Sequence, residues 1–305
     1  MLIINTLLPI FLLISLGYFF KRIKFPDENF WKQLDKFNYF VLFPALLFYK
    51  ISKADIKNIV NYDFIIMTII ILLTISIGFV ILNKILKFEN SSFTSIYQGV
   101  IRFNTYVFLA LTDAILSDEV FVMGLVLMTF IIPFINILCI SIFTIYVPKN
   151  KITIISFVKS IITNPLIVAC FMGGIFSLFN LHLPNIIDKT LVLLISAALP
   201  LGLFSVGVGL HLSAIKENKS AVILSSMGKL ILFPTIMYIV CNIFSVEKEI
   251  MILLVMFASI PTASSAYALA RQLGGDLKLM SSIISIQTIL SIFTISFFIW
   301  LLKIG

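Results

Sequence analysis

Two short polar clusters interrupt otherwise apolar stretches of this sequence, and their residue types suit the binding of an anion. The first reads Gly99-Val100-Ile101-Arg102-Phe103-Asn104-Thr105-Tyr106, and the second Ala258-Ser259-Ile260-Pro261-Thr262-Ala263-Ser264-Ser265-Ala266-Tyr267. Both hold helix-disfavouring residues, so each is expected to break a helix. After a break, the following half-helix starts with free N–H groups and a positive dipole end. Pro261 suits such a first turn, where its missing N–H is no loss. Two half-helix starts meeting at one point form an anion site. Arg102 lies about nine residues into its apolar run, about 14 Å deep at 1.5 Å per residue, where a cation is costly and seldom faces lipid. The candidate substrate-binding residues are Arg102, Asn104, Thr105, Pro261, Thr262, Ser264 and Ser265. The competing reading makes both clusters packing kinks, with Arg102 bonded to carbonyls.

Other polar and helix-breaking residues stand alone. Pro44 and Pro200 are expected to kink their runs and, with Pro261, to serve as hinges. The stretch Gly202-Leu203-Phe204-Ser205-Val206-Gly207-Val208-Gly209 gives its run a smooth face, suited to close helix packing. Asn5, Asn164 and the deep Lys229 are candidates for an inward-facing polar network. Lys159 lies nearer an interface, where it can snorkel. Asp63, Asp113, His182 and His211 fall near the ends of apolar runs, and a metal role has no support. Cys139, Cys170 and Cys241 lie inside apolar runs, without metal-ligand spacing, and read as small buried hydrophobes. No H-E-x-x-H, G-x-S-x-G, Walker or paired-Cys motif occurs, so neither an enzyme nor a cofactor is expected.

The elements that position these clusters follow from composition. Of 305 residues, 60% are hydrophobic and only 12% charged, about half the charge that a soluble domain carries. Lipid, not water, must cover such a chain. Ten apolar runs are long enough to cross a bilayer: 2–20, 36–52, 62–86, 93–115, 119–147, 152–179, 187–212, 221–245, 249–271 and 277–302. The second is the weakest, because Pro44 interrupts a short run. The start has no basic n-region, so it reads as the first span and not as a cleaved signal peptide.

Basic residues sort by loop. The odd loops hold Lys21, Arg22, Lys24, Lys32, Lys36, Lys84, Lys87, Lys149, Lys151, Lys216, Lys219, Arg271 and Lys278. The even loops and the C-terminus hold Lys50, Lys53, Lys57, Lys189, Lys248 and Lys303. Positive residues stay inside, which places the odd loops in the cytoplasm and both termini outside. The formal net charge of +8 is thereby a matter of topology, and nucleic acid is not an expected partner.

The second half echoes the first. Pro9 and Gly17 recur as Pro165 and Gly173, and Pro44, Leu47 and Phe48 as Pro200, Leu203 and Phe204, all 156 residues on. Asn104-Thr105 corresponds to Pro261-Thr262 and Met123 to Met280, both 157 residues on. Each half holds five spans, and an odd number sends the second half in from the opposite side. The expected fold is an all-α membrane protein of ten transmembrane helices. It consists of two inverted five-helix repeats, residues 1–148 and 149–305, with helices 4 and 9 broken and crossing at the midplane.

Several segments resemble the auxin efflux carrier family: Leu7-Leu8-Pro9-Ile10, Gly17-Tyr18, Phe40 through Phe48, Arg102-Phe103-Asn104-Thr105, Ile260 through Tyr267, and Ala270 through Asp276. The resemblance covers essentially the whole chain. It implies a scaffold part and a transport part, with substrate beside the crossover of the fourth and ninth spans. Asn104 matches the family's fourth-span Asn, which is implied to touch the substrate carboxylate, and Pro261 matches the ninth-span crossover Pro. The plant carriers have Pro where this chain has Phe103, and many carry a long cytoplasmic loop that is absent here. Both departures point away from an indole substrate and towards a small organic anion.

The expected function is therefore a secondary transporter of a small carboxylate, working by alternating access and serving efflux across the plasma membrane. Its partners would be the organic anion and membrane lipid, with a homodimer left open. A cation/proton antiporter on a related fold would need buried carboxylates near the midplane, where none is seen. A non-transporting membrane receptor would bring extra domains.

Overall fold

The computed structural model of the protein describes residues 2–55, 62–147, 163–211 and 218–304, with side chains between 7 and 302. Within these residues the chain is helical, with no strand. Five helical stretches are long and apolar enough to cross a bilayer: Asp63–Leu86, Asp118–Tyr146, Asn185–Val208, Lys219–Ile243 and Leu277–Leu302. They show the chain to be an integral membrane protein by length and composition.

The helices are α1 (Leu2–Arg22), α2 (Glu28–Phe37), α3 (Phe43–Lys53), α4 (Asp63–Leu86), α5 (Asn90–Ile101), α6 (Thr105–Ile115), α7 (Asp118–Tyr146) and α8 (Pro165–Leu178). They continue as α9 (Asn185–Ile195), α10 (Ala198–Val208), α11 (Lys219–Met227), α12 (Phe233–Ile243), α13 (Lys248–Ser259), α14 (Ser265–Leu273) and α15 (Leu277–Ile304). The lipid-type face of α4 shows why no polar face is needed. Ile66, Ile70, Ile77, Ile81 and Ile85 are exposed on one side, while Phe64, Thr68, Ile71, Ile75 and Phe79 are buried on the other.

Both sequence-predicted kinks become something more specific. A π-helical turn, Asn38–Leu42, joins α2 to α3 just ahead of Pro44. Pro44 cannot donate a backbone hydrogen bond, and the wider turn absorbs that loss without ending the helix. The second half of the molecule repeats the device, with a π turn at Gly228–Leu232 ahead of Pro234. Pro200 instead lies in the first turn of α10, and the helix is interrupted at Ser196–Ala197. Ser196 supplies the carbonyl, four residues back, that the Pro200 nitrogen cannot use.

Two helix pairs lie closest, α1 along α10 and α3 along α8. In the first, a Cβ at Gly17 would run into the backbone of Phe204. In the second, a Cβ at Gly173 would run into the carbonyl of Phe48. Small residues let these backbones approach where larger ones could not.

Candidate functional site

The two polar clusters are breaks in the helices, and the breaks touch. Helix α5 ends at Ile101 and α6 begins at Thr105, while α13 ends at Ser259 and α14 begins at Ser265. Between them, the Asn104 N–H donates to the Pro261 carbonyl at 2.8 Å. Backbone that would otherwise be left unpaired inside a membrane is thus satisfied across the two breaks.

Asn104 also caps α6. Its Oδ1 accepts from the N–H groups of Tyr106 at 3.1 Å and Val107 at 3.2 Å. The positive start of α6 is therefore largely occupied by its own cap. Asn104 is buried, and its Nδ2 has no partner among the described residues. The start of α14 differs. Ser264 makes no side-chain cap, and the N–H groups of Ala263, Ser264 and Ser265 have no acceptor among the described residues. Ser264 and Ser265 are both exposed.

Arg102 reaches this open start. Its guanidinium donates to Ser265 Oγ at 3.3 Å and to Asn136 Oδ1 on α7 at 3.1 Å. A cation and an unsatisfied helix N-terminus thus stand at one point. Thr105 is half-buried at the first residue of α6, and Pro261 is buried in the other break.

Thr262 is fully buried and fixed twice. Its N–H donates to Gln287 Oε1 at 3.0 Å, and its hydroxyl donates to the Gln98 carbonyl at 3.2 Å. Gln287, on α15, turns its amide nitrogen to the Gly99 carbonyl at 3.0 Å and to the Ser225 carbonyl at 3.2 Å. One buried side chain thus ties the end of α5, the second break and α11 together. Sequence reasoning missed it. The available signal was a lone amide inside the apolar run 277–302.

Beside the breaks lies a cavity of about 670 Å³, within the range of small-molecule sites. Of the sequence-predicted residues only Ser264 is in its wall. Tyr106 lines it from α6, Ser205 and Gly209 from α10 and beyond, and Lys21, Asp35 and His211 are also in its wall. The Tyr106 hydroxyl donates to Asp35 Oδ1 at 3.3 Å, and the Tyr106 ring stacks on Phe43 at 4.6 Å. Helices α2 and α3 run on from this cavity to the other end of the molecule. There Lys50 pairs with Asp113 at 3.3 Å and with Asp118 at 2.9 Å. Lys53 pairs with Asp188, and Ser117 donates to Glu249 at 2.7 Å.

The remaining predicted residues lie apart. Asn164 caps α8 through a 2.9 Å bond from the Leu166 N–H. Lys229 is fully buried in the second π turn, its ammonium 4.6 Å from the Phe233 ring and 5.6 Å from the Phe257 ring. It has no hydrogen-bond partner among the described residues. The side chain of Asn5 and all of Lys159 lie outside the described residues. His182 sits in a separate small pocket with Lys53 and Asp55, and the three cysteines are buried.

Comparison with known proteins decides the class. A family model described as "Membrane transport protein" matches residues 2–299. The chain belongs to this family. The resemblance to the auxin efflux carriers, which are of the same family, is thereby borne out. This membrane transport protein is also similar to a protein of Rhizobium meliloti (strain 1021) that is provisionally named a malonate transporter. The two are 24% identical over 323 residues, spanning 99% of this chain and 97% of the relative. The family assignment and the relative's name both point to a transporter and not to an enzyme. In this transporter family member, Ser264 of the second break lines the cavity beside the paired breaks.

Proposed function

We propose that the protein carries small carboxylate anions across the plasma membrane by alternating access, and that it serves efflux. One observation carries this reading: Arg102 and the uncapped start of α14 converge at Ser265, where α5–α6 and α13–α14 are both broken. A carboxylate there would meet a guanidinium, two serine hydroxyls and free backbone N–H groups. Such charge-assisted bonds are the strong ones. The Asn104 Nδ2 is a further donor close by. The relative's name makes malonate the first anion to try.

The architecture we propose is ten spans in two inverted repeats, residues 1–148 and 149–305, with spans 4 and 9 crossing at the membrane midplane. The packing supports it. Gly17 meets Phe204, and Gly173 meets Phe48. Adding 156 to Gly17 gives Gly173, and subtracting 156 from Phe204 gives Phe48, so one contact is the other with the halves exchanged. The two breaks are likewise related and joined through Asn104 and Pro261.

The charge pattern places the odd loops in the cytoplasm and both termini outside. The cavity is lined by Lys21, Lys24 and His211, from the first and seventh loops and their margins, so it opens inward. Ion pairs of Lys50 and Lys53 close the other end. Both features suit an inward-facing state of an alternating-access carrier. An inside-negative potential drives an anion outward, at about 2.3 kcal/mol per charge per 100 mV, which favours export.

The test is transport of labelled malonate in proteoliposomes. Asn104→Asp keeps an oxygen to cap α6, removes the amide donor and adds a negative charge beside the anion. Arg102→Gln removes the cation. Both are expected to fold, as judged by thermal melting, and to lose transport by about tenfold or more. Normal malonate transport in both variants would show the crossover to be structural only.

A further inference from the structure

Three carboxylates line the cavity, and each is already engaged. Asp27 caps α2 by accepting from the Phe30 N–H at 2.8 Å. Glu28 pairs with Lys32 at 3.2 Å. Asp35 accepts from the Tyr106 hydroxyl. Two basic groups of the same lining stand against each other, with the Glu28 charge acting on both. Lys21 Nζ, in the last turn of α1, lies 3.1 Å from His211 Nδ1 and donates to the Leu210 carbonyl at 2.9 Å. Neither is in an ion pair with a carboxylate among the described residues.

The pair shares its cavity with Ser264, one of the residues of the proposed anion site. A side chain on Gly209 would touch Ser264 Oγ at 3.2 Å, and His211 is two residues further along the same wall. Ser205, one turn earlier in α10, also lines the cavity, and its hydroxyl is buried without a partner among the described residues. The His211 backbone N–H donates to Ser285 Oγ of α15 at 2.9 Å, which anchors the backbone there beside the cavity.

We propose that Lys21 and His211 form a second carboxylate subsite, so that the carrier selects dicarboxylates and takes up a proton on His211 as the dianion binds. This rests on the carrier reading above. Lys21 Nζ lies 3.1 Å from His211 Nδ1 and 3.5 Å from Nε2, and an ammonium there can only donate, which favours the neutral ring. Protonating it puts two cations in contact, a repulsion that a carboxylate between them removes. Burial, and then the neighbouring Lys21 charge, hold the His211 pKa below its ordinary value; Glu28 acts weakly the other way. Burial likewise lowers that of Lys21. The other titratable groups facing the pair are Lys24, Asp27, Lys32 and Asp35 beside it and Tyr106 across the cavity. The empty pair therefore resists a second positive charge, and the dianion is what makes the second proton favourable.

The test compares transport of malonate and succinate with that of their monomethyl esters in proteoliposomes, between about pH 6.5 and pH 8, where both diacids stay largely dianionic while His still titrates. The variants are Lys21→Gln, Lys21→Arg and His211→Gln, with thermal melting of each in detergent. The wild type is expected to favour the dicarboxylate by about tenfold or more, with the ratio rising as pH falls. Both Gln variants should lower that ratio and flatten its pH profile, and Lys21→Arg should retain more of it than Lys21→Gln. Gln variants that keep the ratio and its pH dependence overturn the subsite. So does a wild-type ratio that is near one or independent of pH, and this decides the matter even if a Gln variant fails to fold. A wild type that carries neither diacid nor ester overturns the carrier reading itself.

Discussion

At the scale of the residue, the breaks were legible and their supports were not. Gly, Pro, Asn and Ser announce a break by their own backbone preferences, and Arg102 announces itself by its cost in an apolar run. Gln287 gives no such local sign. Its partners Gly99, Ser225 and Thr262 are 188, 62 and 25 residues away, and only the folded chain brings them together. The same holds for Asn136 as the partner of Arg102. Asn104 shows the reverse. The resemblance implied a substrate contact, while the geometry adds a capping duty that consumes its oxygen. Gln287→Leu would leave the buried Thr262 N–H without an acceptor. The expected loss is about 1–3 kcal/mol for that group, read as a lower melting temperature in detergent. Gln287→Glu keeps the acceptor and should recover part of the loss only if the acidic form finds a proton, so Gln287→Leu is the cleaner measurement.

At the scale of the element, period and proline reveal a helix but not its internal repair. Pro44 was readable as a kink, yet the π turn at Asn38–Leu42 is a property of how the helix accommodates the missing donor. The same turn ahead of Pro234, which carries Lys229, had no sequence signal beyond the proline. The glycines at helix crossings are a better test of the repeat. Gly17→Leu and Gly173→Leu should each force α1 from α10 and α3 from α8, and overpacking of this kind costs about 1–3 kcal/mol. If the halves are related as proposed, the two losses should be comparable. Gly78 on α4 is the control, because a Cβ there meets nothing within 4 Å. Gly78→Ala should be neutral or stabilising by up to about 1 kcal/mol. A large loss at Gly17 with none at Gly173 would count against symmetric packing.

At the scale of the whole molecule, orientation and state are one problem. Charge bias places Lys87, between α4 and α5, in the cytoplasm and Ser245, between α12 and α13, outside. Both are exposed, as is Ser264 at the cavity wall. In a background with Cys139, Cys170 and Cys241 replaced, Lys87→Cys should react with an impermeant maleimide only from the cytoplasmic side, and Ser245→Cys only from outside. If the cavity faces the cytoplasm as proposed, Ser264→Cys should follow Lys87→Cys, with the Lys50 ion pairs at the closed end. Each of those pairs is partly exposed, so each is worth about 1 kcal/mol or less. Removing both with Lys50→Met would favour the outward-facing state by up to about 2 kcal/mol, near a thirtyfold shift in the equilibrium. Ser264→Cys in the Lys50→Met background should therefore gain labelling from outside, at the expense of labelling from within. A cavity label that ignores Lys50 would mean that these ion pairs fasten loops and do not hold the carrier in its inward-facing state.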